Sequence, residues 1–372
     1  WPFLVLGLIS AWFQPVQRAY LSILQARQDA MGFLRQAGGA SLLRILLVLL
    51  FVVGLRWSTV GLMLGIIIPY VVFALLALWQ IRRDVVWCID WQALRRSLAY
   101  SLPIVPHMLA GWTTGYLGML VLNHFEGTAD VGLYGIAAKF ALIIGFVTQG
   151  ISVALQPQMY AYYANPTKEE APVARVKVLG TMAVFGIVAV GVSLFAPDVI
   201  HVMTTPAFYA GASLVPILAL STFLQGVYST YANALYFEEK GPRFLPIASI
   251  GGAVVSVGLM FWLIPKFAAY GTALATLAGV GSRMILAVFL ANAKAGIFWS
   301  QIRFSLLVVG TTVLCAIAWI AAKSDWHFML RLTVWVCSLS LIFLAGSWQL
   351  MRDIAIHNIT KLSRKKQLTM GE

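Results

Sequence analysis

Acidic side chains are absent from the interior of every long apolar stretch of this chain. Its 372 residues include 13 Asp and Glu against 26 Lys and Arg, and each acid falls between the apolar runs or at their ends. Charged residues of both signs make up only 10% of the sequence, far below the roughly 25–35% that clothes a soluble surface. Cysteine is equally scarce. Cys88, Cys315 and Cys337 stand far apart with no paired spacing, which excludes a disulfide framework or a thiolate metal site. Long polar connections are also missing, so no segment can fold as a separate soluble domain, catalytic or otherwise.

What is present is hydrocarbon. Hydrophobic residues account for 60% of the chain and its mean hydropathy is +0.86. A bilayer core of about 30 Å needs about 20 apolar residues of helix, whose backbone groups must be satisfied within the helix. The runs therefore predict an all-α polytopic membrane protein. About 11 transmembrane helices are expected, near 1–24, 38–55, 59–80, 99–122, 131–156, 177–197, 211–236, 244–264, 268–291, 303–322 and 328–350.

The net charge of +13 does not point to nucleic acid, because its placement follows the membrane. Basic residues crowd alternate connections, among them Arg82, Arg83, Arg95 and Arg96, then Lys168 and Arg175, and finally Lys361, Arg364, Lys365 and Lys366. The intervening connections hold only Arg56, Lys266 and Lys323. By the positive-inside rule the first set, with the C-terminus, is expected in the cytoplasm. Trp1 then starts outside, within an apolar run and without a signal pattern, so we expect an N-terminally truncated chain lacking an odd number of spans. The stretch 81–98, with four Arg and with Trp87 and Trp91, is expected to join two helical lobes along the interface.

Two cations break the rule that apolar runs carry no charge. Lys139 and Arg283 each lie near the middle of an expected span, too deep for easy snorkelling. Arg18, Arg44, Lys177 and Arg331 lie nearer the expected ends and could reach headgroups. An intramembrane cation is a functional-site hypothesis by default, and with no acid at that depth it points to an anionic substrate. Polar and small residues recur at helical spacing beside these cations. They form one stripe through His107, Gly111, Thr114 and Gly118, and another through Gly135, Ala138, Leu142, Gly145, Gln149, Ser152 and Gln156. Two more run through Thr222, Gln225, Ser229, Asn233 and Tyr236, and through Thr272, Thr276, Gly279 and Arg283. Small residues in such stripes also serve helix packing in lipid; Gln149, Gln225 and Asn233 suit either a wet cavity or an interhelical hydrogen bond. His107 could titrate or simply pack. Pro103 and Pro106 mark an expected bend.

The segment "VLNHFEGTADVGLYGIAAKFALIIGFVTQGISVALQPQMYAYY" (121–163) resembles the middle of Wzx-type polysaccharide flippases, of the multidrug/oligosaccharidyl-lipid/polysaccharide exporter superfamily. The matching features are Val131–Tyr134, Ala138–Lys139 and Pro157, the last near an expected helix end. A second stretch, 215–276, is similar to the C-terminal bundle of that family through Leu263–Lys266 and Gly271–Thr276. Two departures stand out. No Asp-Arg pair precedes "LNHF", and the Gly usual after "LIPK" plus an aromatic is Ala268.

The resemblance implies a two-lobe bundle of about 14 helices, of which about 11 are visible here. Its parts would be the remainder of a first lobe (1–80), the linker (81–98), a second six-helix lobe (99–292), two extra helices (300–350) and a basic cytoplasmic tail (351–372). It implies a transporter rather than an enzyme. Such a protein would translocate undecaprenyl-pyrophosphate-linked oligosaccharide across the bacterial inner membrane by alternating access, for O-antigen, capsule or exopolysaccharide. Lys139, Arg283, Gln149, Gln225, Asn233 and His107 are its expected cavity residues. Expected partners are the lipid-linked glycan, membrane lipids, and the polymerase and chain-length machinery, with no nucleic acid, no metal and no cofactor. The protein is expected to act as a monomer, and a proton or sodium gradient is open as the driver. The alternatives are a flippase for another lipid-linked precursor, such as that of peptidoglycan, and a membrane-embedded polymerase or glycosyltransferase. A drug antiporter is disfavoured by the missing buried acids.

Overall fold

The computed structural model describes residues 2–82, 90–164, 171–237, 241–295, 301–324 and 326–340. Trp1, Arg83, Trp87, Cys88, Lys168, Lys240, Asp325, the far end of the last expected span and the basic tail lie outside the described residues. Those described are almost all helical, without a strand. Among the described residues, seven helical segments are long and apolar enough to cross a bilayer. The chain divides into two compact units, residues 1–91 and 92–372.

The first unit contains α1 (Pro2–Ala26), α2 (Ala30–Gly54) and α3 (Ser58–Ile81). Asp29 starts α2 by accepting a hydrogen bond from the Gly32 amide at 2.8 Å, the usual way to satisfy a free N–H at a helix start. The helix thus begins well before the span expected at 38. It contains two wide π turns, Leu34–Gly38 and Leu49–Gly54. Both α1 and α2 pack on α3. Gly65 makes the second approach possible, since a Cβ there would meet the Val48 backbone nitrogen at 2.9 Å.

The second unit opens with α4 (Trp91–Ser101), whose described side chains are all exposed. A turn at Leu102 and Pro103 separates it from α5 (104–126), so the span expected at 99–122 is broken near its start. Proline disfavours a helical residue before it and lacks an N–H. Pro106 sits in the first turn of α5, where that N–H is not needed. Next come α6 (Thr128–Ala164), α7 (Ala171–Met203), a 3-10 segment (Pro206–Leu214) and α8 (Val215–Phe237). The unit continues with α9 (Leu245–Ala295), α10 (Gln301–Lys323) and α11 (Phe328–Ser340). Pro157 does not end its helix; α6 runs past it to Ala164.

Helix α9 is a hairpin. At Ala268 the backbone takes φ 47° and ψ −125°, and the two arms pack back to back through Gly252, Ser256 and Gly279. That conformation suits glycine and strains a residue with a Cβ, and Ala268 stands where the resembling family usually has glycine. We expect Ala268→Gly to raise the thermal midpoint, corresponding to about 1 kcal/mol of relieved strain. A lowered midpoint in a detergent melt would contradict this.

Helix α7 packs on α8, with Phe185 fully buried against Gly226 and Gly186 near Phe223. Its far end holds α11. Arg331, 6% exposed, donates from one guanidinium nitrogen to both carboxylate oxygens of Asp198 at 3.1 and 3.2 Å. Phe195 packs between Phe328 and Trp335 beside this pair. Two expectations are corrected here. Asp198 lies within a helix, not in a connection, and Arg331 is buried on this carboxylate rather than snorkelling. Breaking a buried pair typically costs about 3–5 kcal/mol, but the Asp198 side chain is 44% exposed, so Asp198→Ala should cost about 1–3 kcal/mol. The companion Asp198→Ala/Arg331→Leu should recover most of it. An unchanged melt for the single variant would show that the pair contributes nothing.

Candidate functional site

The polar stripes of four elements converge. Helices α5, α6, α8 and the second arm of α9 enclose a cavity of about 960 Å³, at the upper end of the ~300–1,000 Å³ usual for ligand sites. Around its wall α5 packs on α9, α9 on α8, and α8 on α6. On α6 the lining runs from Tyr134 to Gln156, about 33 Å of helix at ~1.5 Å per residue, close to the depth of a bilayer core.

The stripe on α8 enters the wall complete, from Thr222 to Tyr236. On α6 only Gly135 stays out. On α5, His107, Gly111 and Thr114 line the cavity, whereas Gly118 packs against Met260 and Thr272. On α9, Thr276 and Arg283 line it, while Gly279 packs against Ser256. The separation follows from close approach: a Cβ at Gly118 or Gly279 would lie 3.0 Å or less from its neighbour.

Arg283 is the cation of this cavity. It is 8% exposed, and its guanidinium carbon sits 4.5 Å from the centre of the Tyr228 ring. The Nε is buried without a hydrogen-bond partner. The terminal nitrogens keep access to the cavity, and no described carboxylate pairs with them. His107 meets the same tyrosine, its Nδ1 3.5 Å from the hydroxyl, with Tyr236 edge-on to the imidazole at 6.3 Å. Gln225 lines the wall with a buried Oε1 that has no partner. Gln149 and Asn233 complete the expected polar set. No Asp or Glu occurs among the described residues of the lining.

Lys139 is the exception. It is exposed and is not among the lining residues, although Ala138 and Leu142 are. At 3.6 residues per turn, neighbours point about 100° apart, so a lining Ala138 turns Lys139 onto the exposed face with Ile143 and Phe146. Sequence reasoning missed Tyr228, the ring under Arg283. Its spacing of three from Gln225 was the available signal. It also missed Trp112 and Tyr116, exposed members of the lining whose rings lie 5.8 Å apart and tilted by 30°.

The MatE family profile matches residues 103–262, which carry α5 to α8 and the first arm of α9. The Lsg locus putative protein 1 of Haemophilus influenzae is 26% identical over 153 residues, 40% of this chain and 37% of that protein. The match thus spans little more than a third of that relative. Among solved structures, a MATE protein in complex with MaL6 aligns with a TM-score of 0.65 at 18% identity, covering 79% of this chain and 69% of its own. The lipid II flippase MurJ in its inward closed conformation aligns with a TM-score of 0.63 at 14% identity, over 95% of this chain and 75% of its own. These likenesses establish the fold, an all-helical membrane bundle of the kind shared by MATE proteins and MurJ.

Proposed function

We propose that this chain acts in a bacterial inner-membrane flippase that carries a polyprenyl-pyrophosphate-linked oligosaccharide by alternating access. The observation that carries the proposal is the cavity on α5, α6, α8 and α9, which holds a buried arginine and, among its described lining, no carboxylate. Burying an uncompensated cation is costly, and a passing pyrophosphate would offset that cost through charge-assisted hydrogen bonds. Hydroxyls and amides of Gln149, Thr222, Gln225, Ser229 and Asn233 suit the sugars, while the lipid tail stays in the bilayer. Lys139, on the exposed face next to the lining, would attract the same headgroup outside the cavity. The turn at Pro103 would act as a hinge, with Pro106 starting the helix beyond it. The Lys/Arg asymmetry supports a cytoplasmic C-terminus.

A second reading, carriage of a peptidoglycan precursor, draws on the likeness to MurJ. One assay separates the two. The protein is reconstituted in proteoliposomes with fluorescent lipid-linked substrates, and exposure to an impermeant quencher is followed. Faster translocation of the polyprenyl-pyrophosphate oligosaccharide than of the peptidoglycan precursor supports the proposal. The reverse order supports the second reading, and movement of neither removes both.

A further inference from the structure

The first unit carries an arginine that the cavity does not use. Arg44 lies in α2 with its guanidinium carbon 4.8 Å from the centre of the Tyr70 ring. Gln14 of α1 donates its amide N–H to the Tyr70 hydroxyl at 3.2 Å. Because α1 and α2 both pack on α3, Tyr70 joins the arginine of one to the glutamine of the other.

All three sit at mid-helix. Tyr70 is roughly 17–18 Å of rise from either end of α3, Gln14 is about 18 Å from either end of α1, and Arg44 is at least about 15 Å from the ends of α2. The span expected at 38 had put Arg44 near a helix end, within reach of headgroups. Its contact with Tyr70, at the middle of α3, sets Arg44 level with the centre of that helix instead. The Arg44 Nε is buried without a partner. The only described acids of this unit are Asp29 and Asp90. Asp29 is engaged in capping α2, roughly 22 Å of rise below Arg44. An arginine stacked on a tyrosine whose hydroxyl is held by a second polar group repeats the arrangement of Arg283, Tyr228 and His107 in the other unit.

We propose that Arg44, Tyr70 and Gln14 form a second anion site, which takes a phosphate or pyrophosphate group. Arginine's flat, forked guanidinium stacks on an aromatic ring while its remaining N–H groups stay directed at an oxyanion. The Tyr70 hydroxyl, accepting from Gln14, still has its own proton to donate. Bilayer phosphates lie beyond the helix ends, so the group that reaches this depth is that of a cargo in transit. The assignment of the group to a cargo rests on the anionic-cargo reading above.

The test titrates inorganic pyrophosphate into the purified protein in nanodiscs, by calorimetry, with a melt of each unliganded variant. Arg44→Gln should weaken binding about tenfold or more, as expected for one lost charged contact. Arg44→Lys, which keeps the charge and the fold, should weaken it severalfold. If Arg44→Gln does not fold, the lysine variant decides. Wild-type affinity in Arg44→Lys and Arg44→Gln, with loss only in Arg283→Gln, would overturn this site and leave the proposed function standing. No binding by the wild type, or no effect of either arginine, would remove both. Replacing phosphatidylcholine nanodiscs with phosphatidylglycerol should leave affinity unchanged. A drop that vanishes in Arg44→Gln would assign the site to a bilayer lipid and overturn its link to cargo.

Discussion

Arg283→Ala is expected to reduce surface polysaccharide about tenfold to a hundredfold in cells that depend on this protein, with membrane-inserted protein at normal abundance. The range follows from about 1.5–3 kcal/mol for one hydrogen bond to a charged group, with about 1.4 kcal/mol per factor of ten. Arg283→Lys should keep partial export, because the charge survives while the stacking on Tyr228 and the forked contact do not. Arg283→Glu should be the least active, since a carboxylate would repel the headgroup rather than fail to attract it. Normal export in the alanine form, or equal export in the alanine and glutamate forms, would count against an electrostatic contact. Lys139→Ala, on the exposed face, should lose less than Arg283→Ala.

The second large effect is expected at Gly252, which does not line the cavity. A Cβ there would lie 2.5 Å from the Gly279 carbonyl oxygen and 2.7 Å from the Arg283 Cβ. Two of these neighbours, the carbonyl and the Arg283 backbone nitrogen at 3.2 Å, are main chain and cannot rotate away. Gly252→Val should therefore separate the arms of α9 and displace Arg283, costing about 1–3 kcal/mol as overpacking does. Export should fall along with the melt. Gly258, whose Cβ would meet nothing within 4 Å, supplies the control: Gly258→Ala should leave export unchanged and raise the melt slightly, as alanine does in a helix. A Gly252→Val protein that melts and exports normally would show that the hairpin does not hold Arg283.

Most of the cavity was legible because two signals coincide in it. A period of three to four residues assigns side chains to one face of a helix, and hydroxyls or amides on that face have no reason to point at lipid. That logic found the α8 stripe whole and most of the α6 stripe. Lys139 departs from it, standing on the exposed face beside the lining Ala138. The sequence offers Ala138 and Lys139 as neighbours, and only packing decides which faces in. Arg44 was misplaced for another reason. The expected span began at the hydropathy rise near 38, whereas the chain starts its helix at the Asp29 cap. Arg331 is a long-range case, for nothing local links it to Asp198, 133 positions away. The hairpin bend was marked by its expected gap between 264 and 268, and the strain at Ala268 by a departure from the resembling family's glycine.

The central claim is that the cavity of the second unit is wet and receives the phosphorylated headgroup. A single cysteine at Asn233, in a background without Cys88, Cys315 and Cys337, tests it in membranes with a small hydrophilic thiol reagent. The account predicts labelling that is slowed by polyprenyl-pyrophosphate-linked oligosaccharide and not by the uncharged polyprenol, with the protection lost in Arg283→Ala. Labelling that is absent, or that both lipids slow equally, would contradict it.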